Sequence, residues 1–186
     1  MKRFQLITSL FLILVLFSGF KFGDSDDERR AERLADSKEA LELLYAEESD
    51  TKEAIKSAYG YATFKNYGMS MMISFEGGTG LAHNNKTGEV TYMNMGSGGI
   101  GMGMGAKEFM AVFIFDNKKV FDRFIKDGWE ANAQADVIMQ AEEDGESMNE
   151  VHTVEKGLKL YKLTKNGLAM QMTIQGSKYW KCKDLN

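Results

Sequence analysis

The sequence from Gly96 to Lys107 reads GSGGIGMGMGAK, and from Gly99 onward every second residue is glycine. Residues two apart in a β-strand share a face, so the pattern predicts a strand with one bare and one apolar face. A bare face lets another strand, a helix or a ligand approach the backbone closely. We therefore expect this strand to lie deep in a sheet, with a partner covering its structural glycines, Gly99, Gly101, Gly103 and Gly105.

The same stretch contains a formal match to a nucleotide-binding motif. Residues 96–101 fit G-x-G-x-x-G, which binds a pyrophosphate only where a strand ends and a helix begins. Here the alternation continues through Gly105, and no helical pattern opens after Gly101. The pattern favours a strand over a dinucleotide site, and we predict no cofactor.

Composition narrows the possible functions. The chain has 186 residues, enough for one domain with a sizeable core, and its formal net charge of −4 argues against a broad nucleic-acid surface. One cysteine and two histidines exclude an intrachain disulfide and a cysteine-rich or histidine-based metal cage. Because there is also no G-x-S-x-G nucleophile motif, and Cys182 lacks a nearby histidine pattern, we predict a non-enzymatic protein without a metal.

The N-terminus has the features of an export signal. A basic start, Met1-Lys2-Arg3, precedes an apolar run from Phe4 to Phe20. The run is somewhat short for a membrane span, which needs about 20 apolar residues. We predict a signal peptide over residues 1–23, or an uncleaved anchor at residues 4–20, and a location in the periplasm or cell envelope.

Residues 24–57 form a predicted helical lead-in. Helical spacing predicts a helix from Glu28 to Glu47 and a shorter one from Asp50 to Ser57. The apolar stripe of the first helix should pack on the core; its members are Ala31, Leu34, Ala35, Leu41, Leu44 and Tyr45. The other face holds four cations among several glutamates, which leaves open a membrane-surface helix; they are Arg29, Arg30, Arg33 and Lys38.

Residues 58–186 are predicted to be mainly β. The expected strands are Tyr59–Phe64, Met69–Phe75 before a turn at Glu76-Gly77-Gly78, and a hairpin of Gly80–His83 with Glu89–Met95. The apolar run Phe109–Phe115 is typical of a strand buried on both faces. Asp116-Asn117 should then close this strand and cap a helix from about Lys118 to Lys126.

The last third of the chain changes charge along its length. Alternation predicts a strand over Ala131–Met139, although its alanines also suit a helix, and Glu142–Glu155 reads as a solvated loop. Leu158–Leu163 and Leu168–Gln175 should form a hairpin around Lys165-Asn166-Gly167. The late lysines either protect strand edges or contact anionic headgroups, at about 1 kcal/mol each; the candidates are Lys159, Lys162, Lys178 and Lys181.

These segments together resemble the Ysc84 family, also called the SYLF domain. The resemblance runs from about Lys38 to the C-terminus and rests on the order of several segments. These segments are Ala58–Phe64, the glycine strand, Val112–Phe115 with Asn117, Lys119 and Phe124, the Ala131–Ala135 alternation, and Lys165–Ala169 leading to Gly176. It implies a single α+β domain, residues 24–186, that binds membrane lipid, phosphoinositides in eukaryotic members, some of which also bind actin filaments. Lipid contact there is attributed to a basic N-terminal helix, which here would hold Arg29, Arg30, Arg33 and Lys38.

We therefore expect an α+β fold: an antiparallel, strongly curved sheet or barrel-like sandwich with an N-terminal helix and one further helix packed on it. The leading functional hypothesis is an exported, non-enzymatic domain that associates with anionic membrane lipids. Two alternatives stay open at this point, a protein-interaction module without lipid preference and a carrier that holds an apolar ligand against the bare glycine face.

Overall fold

The structure is a computed structural model that describes residues 24–70, 73–100, 105–130, 152–164, 167–168 and 177–186. Its helices are α1 (Asp26–Glu47), α2 (Thr51–Ser57) and α3 (Lys118–Asp127). Its strands are β1 (Gly60–Ser70), β2 (Ile73–Asn84), β3 (Val90–Ile100), β4 (Gly105–Phe115), β5 (Trp129–Glu130), β6 (His152–Glu155), β7 (Leu158–Thr164), β8 (Gly167–Leu168) and β9 (Ser177–Lys181).

The strands form one antiparallel sheet in the order β5-β9-β3-β2-β1-β4-β7-β6, with β8 also paired to β7. Four strand spacings separate β9 from β4, which is about 19 Å in a flat sheet. The rings of Tyr179 on β9 and Phe113 on β4 nevertheless have centroids only 5.0 Å apart. The sheet must therefore curl into a half-barrel, which confirms the predicted α+β class and the strongly curved antiparallel sheet.

Strand β4 separates two cores, because it is buried on both faces as its continuous apolar sequence predicts. Phe109, Ala111, Phe113 and Phe115 join the core on the concave face. Met110, Val112 and Ile114 join a second core on the convex face, which α1 and α2 cover with residues such as Leu44 and Ile55. The sheet thus needs a cover on each side.

Helix α3 fills the concave side, and its ends follow from local chemistry. Asn117 caps it by accepting a hydrogen bond from the Val120 backbone N–H at 3.1 Å. Gly128, at φ +75°, ends it in a conformation that favours glycine. Between these ends the Phe124 ring lies 4.9 Å from that of Phe115. The predicted helix and its cap are confirmed.

The first predicted hairpin is present, and the second is confirmed only for the residues that the structure describes. Strands β2 and β3 pair across residues 84–90, and β7 pairs with Gly167–Leu168. Residues 169–176, the rest of the second hairpin's return strand, lie outside the described residues, as do the Ala131–Met139 segment and residues 140–151. The loop prediction was wrong at its end, where His152–Glu155 forms β6 and pairs with β7.

The alternation of glycines predicted one strand deep in the sheet, and this prediction was wrong. Gly96–Ile100 ends β3, Gly105 begins β4, and residues 101–104 lie outside the described residues. Gly98 is exposed, and a Cβ built there would meet nothing within 4 Å. Alternation specifies which face a residue occupies, but it does not specify where one strand ends or how deeply the strand lies.

The predicted turn at residues 76–78 is likewise absent. Gly77 lies within β2, opposite Tyr67 of β1 and Gly96 of β3. Glycine pairs usually mark turns. Here β1 and β2 pair continuously from Gly60↔Asn84 to Ser70↔Ser74, so tertiary pairing overrides the local signal.

The glycines of β2 provide a matched pair of substitutions. A Cβ at Gly80 would lie 2.0 Å from the Thr63 carbonyl oxygen, whereas a Cβ at Gly77 would meet nothing within 4 Å. We expect Gly80→Ala to lower the free energy of unfolding in urea by about 1–3 kcal/mol through overpacking. Gly77→Ala should stay within about 0.5 kcal/mol of the parent. Equal effects of the two substitutions would contradict the described packing of β2.

Candidate functional site

The first two predicted cations lie in the opening turn of α1, where local acids offset their charge. Ser25 and Glu28 form a capping box that begins the helix. One turn of helix then brings Arg29 to 3.1 Å from Asp26 and Arg30 to 2.9 Å from Asp27. Both pairs are part-exposed i,i+3 contacts, which stabilise a helix weakly and reduce the positive field that a headgroup would meet.

Arg33 is buried rather than displayed, so its predicted place on the exposed face of the helix was wrong. Its side chain, 5% exposed, donates to the Met93 carbonyl oxygen at 2.7 Å and to Asn94 Oδ1 at 3.0 Å. Burial lowers the pKa of the Arg33 guanidinium, because desolvation penalises the charged form. In this fold Arg33 fastens α1 to β3 and is not available to a headgroup.

Because Arg33 is buried, the face of α1 that packs on the sheet differs from the apolar stripe that the sequence predicted. The buried residues of α1 are Arg33, Ser37, Ala40 and Leu44, while Leu34 of the predicted stripe is 47% exposed. Hydrogen bonds to backbone carbonyls decide the orientation of the first half of α1. The spacing of apolar residues, from which the packed face of α1 was predicted, does not include such polar contacts.

A second polar contact holds α1 to the sheet. Lys65 on β1 donates to Asp36 at 2.8 Å and lies 3.4 Å from Glu39. The hydrogen bond to Asp36 is the largest cause that raises the pKa of Lys65, so this ammonium stays charged. Lys65 faces the convex side of the sheet, and sequence analysis did not identify it.

The remaining predicted cations are spread over the molecule. Lys38 is exposed and lies 3.7 Å from Glu42. Lys159 and Lys162 are three residues apart on β7 and therefore on opposite faces; the Lys162 Nζ lies 3.7 Å from the centroid of the concave Phe109 ring. Lys178 pairs with Glu130, and Lys181 lines a cavity of about 250 Å³ beside α3. The structure does not bring the eight cations together.

What the structure does bring together is a group of exposed aromatic side chains. Tyr67, Phe75 and Trp180 are 56%, 65% and 40% exposed. Tyr67 is two residues from Lys65 and pairs with Glu108 and Gly77, so it faces the convex side beyond α1. Phe75 shares that side because it is two residues from Gly77.

Glycines form the floor between these rings. In the register, Tyr67 lies opposite Gly77, Gly77 opposite Gly96, and Phe75 opposite Gly98. Trp180 faces away from the concave core that holds Tyr179, and its ring would be 3.2 Å from a Cβ at Gly96. We call this surface the aromatic face: Tyr67, Phe75, Gly77, Gly96, Gly98 and Trp180.

Finding the aromatic face from the sequence requires knowing which residues of β1, β2 and β3 pair with one another. Phe75 ends one predicted strand and Tyr67 falls between two predicted strands, and the expected turn at residues 76–78 hid their pairing. Large apolar residues on the same side as glycines of neighbouring strands are the signal. Such a surface can contact a large, flat partner without its own side chains interfering.

The described part of the chain lacks two further features. No group of three or more His, Cys, Asp or Glu side chains there could hold a metal ion. Among the described helices, none is both long enough and apolar enough to cross a membrane.

Comparison with known proteins finds a relative that matches part of the chain. The chain is 37% identical over 146 residues to a protein of Aeromonas veronii named Beta cell expansion factor A. The match covers 78% of this chain and 54% of that protein, so the chain spans about half the length of this relative. No family model matches the chain, and the resemblance to the SYLF domain therefore stays a prediction.

The different environments of Arg33 and Arg29 predict different losses of stability when each arginine is replaced by alanine. We expect Arg33→Ala to destabilise the protein by about 2–4 kcal/mol, because it leaves the buried Met93 carbonyl and the part-buried Asn94 side chain without their donor. Arg29→Ala removes only a part-exposed ion pair and should change stability by less than about 1 kcal/mol. Chemical denaturation of both variants tests this, and similar losses would show that Arg33 does not fasten the helix.

Proposed function

We propose that this chain is a non-enzymatic lipid-binding domain that associates with membranes of the cell envelope through the aromatic face. The observation that supports the proposal most strongly is the exposure of Tyr67, Phe75 and Trp180 on one side of one sheet. Contiguous exposed apolar surface marks interaction sites. Tyrosine and tryptophan in particular favour membrane–water interfaces, because each ring combines an apolar body with a polar tip.

The energetics suit reversible association. Each ring could remove roughly 100 Å² of apolar area from water, which is about 2–3 kcal/mol at 25 cal/mol per Å². Part of that sum offsets the freedom lost on binding. Three rings therefore support a peripheral contact.

Electrostatics would add a smaller share. Lys178 flanks Trp180, but its ion pair with Glu130 reduces its attraction to an anionic surface below the roughly 1 kcal/mol of an unpaired lysine. The arginines of α1 contribute less than the sequence suggested, since Arg29 and Arg30 face acids and Arg33 is buried. The proposal therefore moves the lipid contact from the basic helix to the aromatic sheet face.

The sequence supplies the proposed location and family. The basic start and apolar run before Asp24 support export to the periplasm or envelope. The resemblance to the SYLF domain supports membrane lipid as the ligand. The name of the Aeromonas veronii relative describes an effect on beta cells and specifies no ligand for this chain.

A protein-interaction module is the second candidate. Its support is the local pairing of exposed cations, Lys38 with Glu42 and Lys178 with Glu130, which offsets part of the positive charge on the described surface. An aromatic face with offset charges also suits a protein partner. Vesicle binding separates the two candidates.

Co-sedimentation with neutral and anionic vesicles tests the proposal. We expect the protein to bind both, and Phe75→Ser and Tyr67→Ser each to weaken binding by about tenfold, because each removes roughly 1.4 kcal/mol or more of apolar burial. Leu34→Ser is the matched control, since Leu34 is similarly exposed but lies on α1. Absence of binding to either vesicle type would favour the protein-interaction module.

The charge contribution has its own measurement. Lys178→Gln should reduce binding to anionic vesicles by at most a factor of about five, equivalent to about 1 kcal/mol, and leave binding to neutral vesicles unchanged. High salt should produce a similar partial loss in the parent protein. Complete loss of binding in salt would instead point to the cation-based contact that the sequence predicted.

A further inference from the structure

A cavity of about 250 Å³ lies on the concave side, between α3 and the β2–β3 hairpin. Asn84, Glu89 and Thr91 line it from the hairpin, and Phe121 and Ile125 line it from α3. A cavity of about 150 Å³ accommodates benzene inside a protein, and drug-sized ligands occupy roughly 300–1,000 Å³. This cavity therefore has room for a ligand with one ring or one short chain and a polar group.

Thr91 contributes a buried polar group to the cavity. It is two residues from the core residue Met93 on β3, so its side chain faces the concave side. Thr91 is 4% exposed, and within the described part of the chain its hydroxyl has no hydrogen-bond partner. Unlike the fully enclosed Thr63 hydroxyl, that of Thr91 keeps some accessible surface, which opens to the cavity. A ligand there would supply the partner that so buried a hydroxyl normally has.

Asn84 adds a second donor to the buried wall. Its Oδ1 already accepts hydrogen bonds from the backbone N–H groups of Lys86 and Thr87, at 2.9 and 3.2 Å. One of its two amide hydrogens is donated to the Tyr59 hydroxyl, at 3.5 Å. The second N–H is therefore left to donate, so the wall offers an amide and a hydroxyl to a ligand acceptor.

The rim of the cavity carries charges of both signs, with cations in excess. Lys126 and Lys181 are exposed, and neither forms an ion pair with another described residue. Asp122 is paired with Lys118, which leaves the exposed Glu89 as the one acid of the lining without an ion pair in the described structure. Two unpaired ammonium groups thus face one unpaired carboxylate, and the resulting field favours an anion.

Phe121 and Ile125 form the apolar wall. They are four residues apart on α3 and therefore share a face of the helix. The Phe121 ring is held between the ring of Phe115, at a centroid distance of 5.3 Å, and that of Tyr59, at 5.5 Å. A fixed apolar wall opposite a few polar donors is the usual arrangement of a small-molecule site.

We propose that this cavity binds a small carboxylate with an apolar body, such as an aryl or short-chain alkyl carboxylate. The carboxylate accepts hydrogen bonds from the Thr91 hydroxyl and the Asn84 amide. Lys126 and Lys181 provide the opposing charge, and the apolar body packs on Phe121. The single excess positive charge suits a monoanion better than a phosphate dianion. The cavity lies on the side of the sheet opposite the aromatic face, so this inference does not depend on the proposed membrane association.

NMR titrations of the full protein test both the charge preference and the place of binding. The probes are benzoate and hexanoate. The comparison ligands are benzyl alcohol and benzylamine, which keep the ring but carry no charge or a positive one. The variants are Lys181→Gln, Glu89→Gln and Thr91→Val. The matched control is Lys119→Gln, because Lys119 is an exposed lysine of α3 that does not line the cavity.

We expect benzoate or hexanoate to bind the parent and to shift the amide resonances of Thr91 and Phe121. Lys181→Gln should weaken binding about fivefold, and Glu89→Gln should strengthen it by about two- to fivefold, because it removes a like charge. Thr91→Val should weaken binding about fivefold without lowering Tm, since its hydroxyl has no partner to lose. A purely structural Thr91 would instead lower Tm on substitution and leave binding unchanged. Lys119→Gln should match the parent.

Three results would overturn the carboxylate site. The parent could fail to bind both carboxylates, benzylamine could bind more tightly than benzoate, or Lys181→Gln could bind benzoate as well as Lys119→Gln does. The vesicle experiments test the proposed function separately. Phe75→Ser should bind benzoate like the parent, and absence of vesicle binding would contradict membrane association while benzoate binding still supported the site.

Discussion

Burial of β4 on both faces is the constraint on which the rest of the fold depends. Each side chain from Phe109 to Phe115 enters one of two cores, so the sheet cannot leave either side open at this strand. On the concave side the sheet covers itself by curling until Phe113 meets Tyr179 and Trp129 from the far edge. Helix α3 then fills the space that the curl leaves. On the convex side α1 and α2 provide the cover.

The convex cover does not reach the whole sheet, and that limit defines the candidate site. Helix α1 is fastened at Arg33 and at Lys65, two polar contacts whose geometry admits little sliding. Beyond Lys65 the next outward residue of β1 is Tyr67, and it is exposed. The aromatic face begins where the helix ends its contact. The site is therefore a consequence of how α1 docks and is not encoded in α1 itself.

Sequence reasoning succeeded where burial alone decides structure. The apolar run of β4, the cap at Asn117 and the hairpin at residues 84–90 are local signals that tertiary packing reinforces. It failed where the structure is decided by a polar contact between distant residues or by the register of paired strands. The outward turn of Leu34 follows from hydrogen bonds of Arg33 to β3, about sixty residues away. The aromatic face follows from pairing Tyr67 with Gly77, which no local pattern specifies.

Consecutive glycines in β2 have opposite roles, because successive residues face opposite sides of a sheet. Gly77 leaves the convex surface bare between Tyr67 and Phe75, while Gly78 makes room on the concave side for Asn66. A turn prediction treats the pair as one signal for flexibility, but the folded strand uses each for a separate steric purpose. Since Glu76 and Phe75 alternate in the same way, the aromatic face lies back to back with Asn66 and Glu76 on the same stretch of sheet. A partner that contacts one surface is therefore separated from the other by only the thickness of a single sheet.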